Sequence, residues 1–231
     1  MTVDRARSGP LLLVLTSLGI ISAWTVPRSI AIPAAPPLRV AIVLAAVVFG
    51  ASLSWRIGLE IRAHGARHPV LRGGIIGLAF GVYMALADGL VFRAHIPPVQ
   101  IAIIADIPAW QRIAVSLPIV LVDELVYRLC MVPLLAWIFG GCGRMAETMP
   151  SENAFRLAII VTATTYILLH LGVITAGGAL TLPLAAREIA LHVAAGSLWG
   201  YLFWRNGLPT AIVAHMGAHV TLQIGLSLMF P

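Results

Sequence analysis

The chain contains no lysine, only two cysteines, and few charged side chains of any kind, 10% of its 231 residues. Each scarcity excludes something. Without lysine, the positive balance of +6 rests on 15 arginines. In a chain this apolar, such charge reports membrane topology before it reports a polyanion, so no nucleic-acid partner is read from it. Cys130 and Cys142 are expected along one helix and its end, about 18 Å apart at the helical rise, which is too far for a disulfide. The thin charge, 60% hydrophobic content and mean hydropathy of +0.97 exclude an ordinary soluble domain.

What is present is a series of apolar runs of spanning length, so the expected fold class is all-α, a polytopic transmembrane helical bundle of about seven spans. The spans read as 11–26, 38–58, 70–92, 109–139, 155–174, 184–204 and 208–230. Arg5 and Arg7 ahead of the first run, with small residues after it, imitate a signal peptide, but because more spans follow an uncleaved first span is expected. Segment 96–110 holds Pro97, Pro98 and Pro108 and suits a re-entrant or interfacial piece. The run 109–139 exceeds the hydrocarbon thickness. A kink is expected at Pro133, which cannot bond the Leu129 carbonyl, with 137–143 leaving the membrane. Gly73, Gly77 and Gly81, and again Gly196 and Gly200, recur at four-residue spacing and predict close helix packing.

Arginine placement predicts a multi-pass protein of the cell membrane. The basic loop 56–72 belongs to the cytoplasm, which puts nine arginines inside (5, 7, 56, 62, 67, 72, 144, 156, 205) and five outside (28, 39, 93, 112, 187). The N-terminus is then cytoplasmic and the C-terminus outside.

Chemistry concentrates at Asp123, Glu124 and Arg128, three charges inside a run that otherwise reads as membrane helix, which makes them a functional-site hypothesis. On a helix Glu124 and Arg128 share a face and can pair, whereas Asp123 is turned about 100° away beside Tyr127 and has no cation on its own face. Tyr166 and His170 are i, i+4 on a later span, and His215 and His219 are i, i+4 on the last. Carboxylates and imidazoles in a water-poor cavity meet the needs of peptide hydrolysis: a base to deprotonate water and donors to hold an oxyanion. His215 and His219 with a carboxylate would also suit a zinc site of the two-His, one-acid kind, although H-E-x-x-H is absent. Asp88 reads as an interfacial carboxylate in reach of water, and Glu188 with His192 as a local pair.

The order D-E-x-x-Y-R (Asp123 to Arg128), Tyr-x-x-x-His (Tyr166 to His170) and His-x-x-x-His (His215 to His219) resembles the CPBP family of CAAX prenyl proteases and bacteriocin-processing enzymes. Its usual pattern is E-E-x-x-x-R, F-x-x-x-H and H-x-x-x-N or D. The resemblance implies an intramembrane endopeptidase of the bacterial type acting on a peptide or protein delivered through the lipid bilayer. It gives Asp123 the water-activating position with His170, Glu124 and Arg128 the buried pair, and His215 with His219 the support of an oxyanion or a metal. The chain departs from the pattern at Asp123, one methylene shorter than Glu, and at His219, which replaces Asn or Asp. The expected division is 1–108 as peripheral spans and 109–231 as catalytic core. Two readings from other classes stand beside it: a proton- or metal-coupled transporter, since the same side chains build relays and ion sites, and a non-enzymatic immunity or scaffold protein of the same fold.

Overall fold

The computed structural model describes residues 5–25, 35–141, 149–175 and 179–230; the side chains of 5–7, 172 and 173 are not among them. Cys142, Arg28 and Arg144 lie outside the described residues, so the expectations about the cysteine pair and those two arginines are not addressed; Cys130 is a free thiol. Among the described residues all regular structure is helical, with no strand. Its helices are α1 (Arg5–Thr25), α2 (Pro36–Arg56), α3 (Pro69–Leu86), α4 (Pro98–Asp106), α5 (Ala109–Asp123), α6 (Val132–Phe139), α7 (Glu152–Ile174), α8 (Leu182–Glu188), α9 (Ala194–Asn206) and α10 (Leu208–Met229). Three π-helical segments join or extend them: Ala87–Val91 after α3, Glu124–Met131 between α5 and α6, and Ile189–Val193 between α8 and α9.

By length and apolarity, five helices can cross a bilayer: Ser8–Thr25, Pro36–Arg56, Pro69–Val91, Glu152–Leu171 and Leu208–Met229. The α5–α6 and α8–α9 runs add two paths of comparable length, each divided by a π segment. This is an all-α membrane bundle, and its outer surface fits that solvent: Leu13, Val48, Leu71, Leu90, Leu169 and Leu228 are exposed, and in lipid such side chains need no partner. Inside, Val43, Leu125, Leu129, Trp199, Phe203 and Leu208 belong to one core. α1 contributes Leu12, Leu15 and Ala23 to that core and packs on α2 and α5.

The glycine stripes act as expected. α3 lies along α10, where Gly73, Gly77 and Gly81 face the backbone of Thr210, Ala214 and Ala218, an approach that a side chain would prevent. Gly196 and Gly200 seat α9 against Ala163 and Ile159 of α7. Segment 96–110 contains the nine-residue α4 rather than a full span.

Span four differs from expectation. Ahead of Pro133 the helix widens into the π segment Glu124–Met131, and it resumes as α6 with Pro133 in its first turn. The proline takes one N–H out of a ladder that continues through the junction, where Val132 N–H still bonds the Tyr127 carbonyl. The Leu129 carbonyl lies against Gly50 of α2, whose lack of a side chain leaves it room.

Candidate active site

The π segment decides how the first motif is displayed. A π turn takes more residues than the 3.6 of an α-helix and re-aims its side chains, a distortion that recurs at functional sites. Asp123 ends α5 and Glu124 opens the wider turn, so two adjacent carboxylates face different surroundings while both stay buried, at 3% and 0% exposure.

Glu124 is the tethered carboxylate. Its Oε1 accepts a hydrogen bond from His215 Nδ1 at 2.8 Å and lies 3.4 Å from Arg128 Nε. The expected ion pair is present, but the shorter bond runs to the histidine of α10. Arg128, 4% exposed, also reaches the Gly196 carbonyl at 3.4 Å. Asp123 Oδ1 and Glu124 Oε2 are buried without a hydrogen-bond partner among the described residues, as is His219 Nδ1.

The second motif closes on the first through tyrosines. Tyr127 meets the Tyr166 ring edge-on at 5.2 Å, and Tyr166 stacks on His170 at 4.1 Å. His170 is 2% exposed, and its Nδ1 donates to the Tyr166 carbonyl at 2.5 Å. A carbonyl can only accept, so Nδ1 carries a proton. Asp123 interacts electrostatically with Tyr166, which links the first carboxylate to the His170 motif.

The third motif faces a cavity of about 90 Å³ lined by Arg128, Tyr166, His192, His215 and His219 among apolar walls that include Met84, Trp199 and Leu222. His215 stacks on Trp199 at 5.6 Å, and the His215 and His219 rings are 5.2 Å apart. Because Glu124 holds the His215 Nδ1 proton, Nε2 of that ring is left for the cavity. Each motif reaches this space, which has room for a few waters, through Arg128, Tyr166 and the pair His215 and His219; Asp123, Glu124 and His170 are not among its lining residues.

Zinc needs at least three protein ligands. Among the described residues no group of three His, Cys, Asp or Glu side chains converges so as to hold a metal ion. His215 and His219 offer two imidazoles, and Glu124 is engaged by His215 and Arg128. The side chains as arranged do not fit a zinc centre, and no chemistry is routed through one.

Two residues read otherwise from sequence need correction. Asp88 does not reach water: it is 4% exposed and grips Arg187 through two bonds, Nε to Oδ1 at 2.7 Å and Nη2 to Oδ2 at 2.9 Å. Arg187, expected outside, is 5% exposed; the two charges neutralise each other inside the bundle. His192 does pair with Glu188, at 2.6 Å, but it also lines the cavity. The signal for it was available, since Glu188 and His192 are i, i+4 ionisable groups inside a span, but no motif vouched for them.

A family model described as Rce1-like, type II CAAX prenyl endopeptidase, matches residues 105–221. No curated protein and no solved structure matches the chain.

Proposed function

We propose how this chain cuts a peptide bond starting from its kinship: it belongs to the Rce1-like family of type II CAAX prenyl endopeptidases. It is accordingly a CAAX-type intramembrane endopeptidase with a peptide or protein substrate. In the reading proposed here the reaction is acid/base hydrolysis at the cavity, carried out by residues of 109–231, while 1–108 supports them. Asp123 takes a proton from water with the help of His170, the hydroxide adds to the scissile carbonyl, and Arg128 and His219 donate to the developing oxyanion. Glu124 holds Arg128 and fixes the tautomer and orientation of His215.

The observation that carries this reading is the unequal state of the two carboxylates: Glu124 Oε1 is committed to His215 and Arg128, while Asp123 Oδ1 is buried with no hydrogen-bond partner among the described residues. A buried acceptor without a partner costs about 1–3 kcal/mol and calls for water, which is the co-substrate of hydrolysis. The 2.8 Å bond favours a second reading, in which Glu124 orients His215 so that its Nε2 is the base. On the topology proposed here, with the N-terminus in the cytoplasm, the site opens toward the cytoplasm and takes a peptide delivered through the membrane.

The test is cleavage in proteoliposomes, using a library of membrane peptides that includes prenylated-cysteine peptides, with and without chelator. Specific cleavage that survives chelation and is lost in Asp123→Asn supports the reading. Cleavage lost in His215→Ala but kept in Asp123→Asn moves the base to the Glu124 and His215 pair. Turnover that requires stoichiometric zinc overturns both.

A further inference from the structure

A second charged cluster reaches the same cavity from the other side. Asp88 of the π turn after α3 grips Arg187 of α8, Arg187 Nη1 bonds Glu188 Oε1 at 2.6 Å, and Glu188 Oε2 lies 2.6 Å from His192 Nδ1. Asp88, Arg187 and Glu188 are each at most 5% exposed, whereas the His192 side chain is 33% exposed and lines the cavity with Arg128, His215 and His219. The cluster thus has a rigid buried end and one imidazole at the open end.

Its composition fixes the state of that imidazole. Two carboxylates against one guanidinium leave one negative charge, which is costly in a buried site unless a proton compensates it. His192 is the imidazole in contact with the surplus carboxylate. The 2.6 Å contact lacks the alignment of a hydrogen bond, since Glu188 Oε2 and His192 Nδ1 have no hydrogen-bond partner among the described residues, but two lone pairs at that separation repel, so the ring nitrogen presents N–H. With Nδ1–H on Glu188 and the ring cationic, the second N–H, at Nε2, is the one left for the cavity. This complements the first motif, where His215 donates its Nδ1–H to Glu124.

We propose that His192 is a further catalytic residue, the proton donor to the leaving amine, with Asp88, Arg187 and Glu188 as its positioning residues. The proposal rests on the endopeptidase reading. Water gives one proton to Asp123 as its oxygen bonds the scissile carbon. When the tetrahedral oxyanion collapses, the C–N bond breaks, its electron pair goes to nitrogen, and the proton moves from His192 Nε2 to that nitrogen. Amine and carboxylic acid leave, and exchange with solvent moves one proton off Asp123 and returns one to His192. An amide needs this donor, since an amide anion is too poor a leaving group to depart unprotonated; a thiolate does not.

The test compares one prenylated-cysteine peptide with its analogue in which sulfur replaces the scissile N–H, a thioester at the same position. In proteoliposomes, His192→Gln should lower turnover of the amide by about a hundredfold or more, the contribution of a positioned acid, and change thioester turnover by less than about threefold. Glu188→Gln should show the same bias more weakly. The amide-to-thioester ratio within one preparation does not depend on the folded fraction, and His192→Asn serves if the first variant yields too little protein. Equal loss on both substrates, or loss on neither, overturns the proposal while the endopeptidase reading stands. A wild-type chain that cleaves neither substrate overturns that reading and the proposal with it.

Discussion

Replacing Glu124 by glutamine removes one charge from the most constrained point of the bundle, and the expected cost follows from what is left behind. Arg128 is 4% exposed; without Glu124 its remaining described hydrogen bond is the 3.4 Å contact with the Gly196 carbonyl. Breaking a buried ion pair on one side costs about 3–5 kcal/mol because the other charge stays uncompensated. The low end applies here, since Asp123 is close enough to interact with Arg128 and takes over part of the compensation. At about 2–4 °C per kcal/mol for a chain of this size, Glu124→Gln should melt about 6–12 °C below wild type in detergent or nanodiscs. Arg128→Met should cost at least as much, because two adjacent buried carboxylates are then left without their cation. The double variant Glu124→Gln with Arg128→Met should recover at least half of the lost stability but not full activity, since His215 loses its carboxylate. If Glu124→Gln melts within about 2 °C of wild type, Arg128 is neutralised by Asp123 instead. The two carboxylates then exchange roles, and the chemistry belongs to Glu124.

Asp123→Asn and His170→Ala should each abolish cleavage in a folded protein, and the double variant should be little worse than either, because groups that act as one unit are non-additive; fully additive losses in single-turnover assays would separate them. Gly77→Ala should lower stability by about 2–3 kcal/mol, because its Cβ falls on the Ala214 backbone next to His215, whereas Gly74→Ala meets only Val213 Cγ1 at 3.4 Å and should be neutral by thermal melting. For the metal, purified protein should hold well under one equivalent of zinc by elemental analysis and keep its activity in chelator. Single cysteines at His64 and Thr181, in a background without Cys130 and Cys142, should label from opposite sides, His64 from the cytoplasm. His64 contacts Asn206 at one end of the α8–α9 run and Thr181 caps the other, about 38 Å apart at the helical rise. Labelling of both from one side would overturn the topology.

What the sequence revealed was whatever a period carries. Apolar length gave the helices, four-residue glycine spacing gave the α3–α10 and α9–α7 contacts, and i, i+4 spacing gave Tyr166 with His170 and Glu188 with His192. The places where it misled share one cause, that the partner comes from another helix. Asp88 read as exposed because nothing near it in sequence neutralises it; its arginine is 99 residues away. Glu124 read as the partner of Arg128 alone because the competing bond comes from His215, 91 residues on. What holds Arg112 was equally illegible: it is 7% exposed and its guanidinium bonds the Ile104 and Ile107 carbonyls, Gln223 and Ser227, joining the end of α4 to α10.

The π segments were not legible either, and they explain why the charges can lie where they do. Asp88, Glu124 with Arg128, and His192 all sit within π-helical turns. A uniform α-helix would stack Glu124 and Arg128 on one face and let them neutralise each other. In the wider turn the pair opens to 3.4 Å and the carboxylate bonds His215 at 2.8 Å instead. The same device at Ile189–Val193 presents His192 to the cavity while Glu188, one residue before the turn, stays buried on Arg187. Both clusters therefore hold two carboxylates to one arginine, and each ends in an imidazole at the cavity. In a bilayer an isolated charge has no solvent to retreat to, so each surplus carboxylate calls for a proton, and the acid/base hydrolysis proposed above places its two proton transfers at these two clusters.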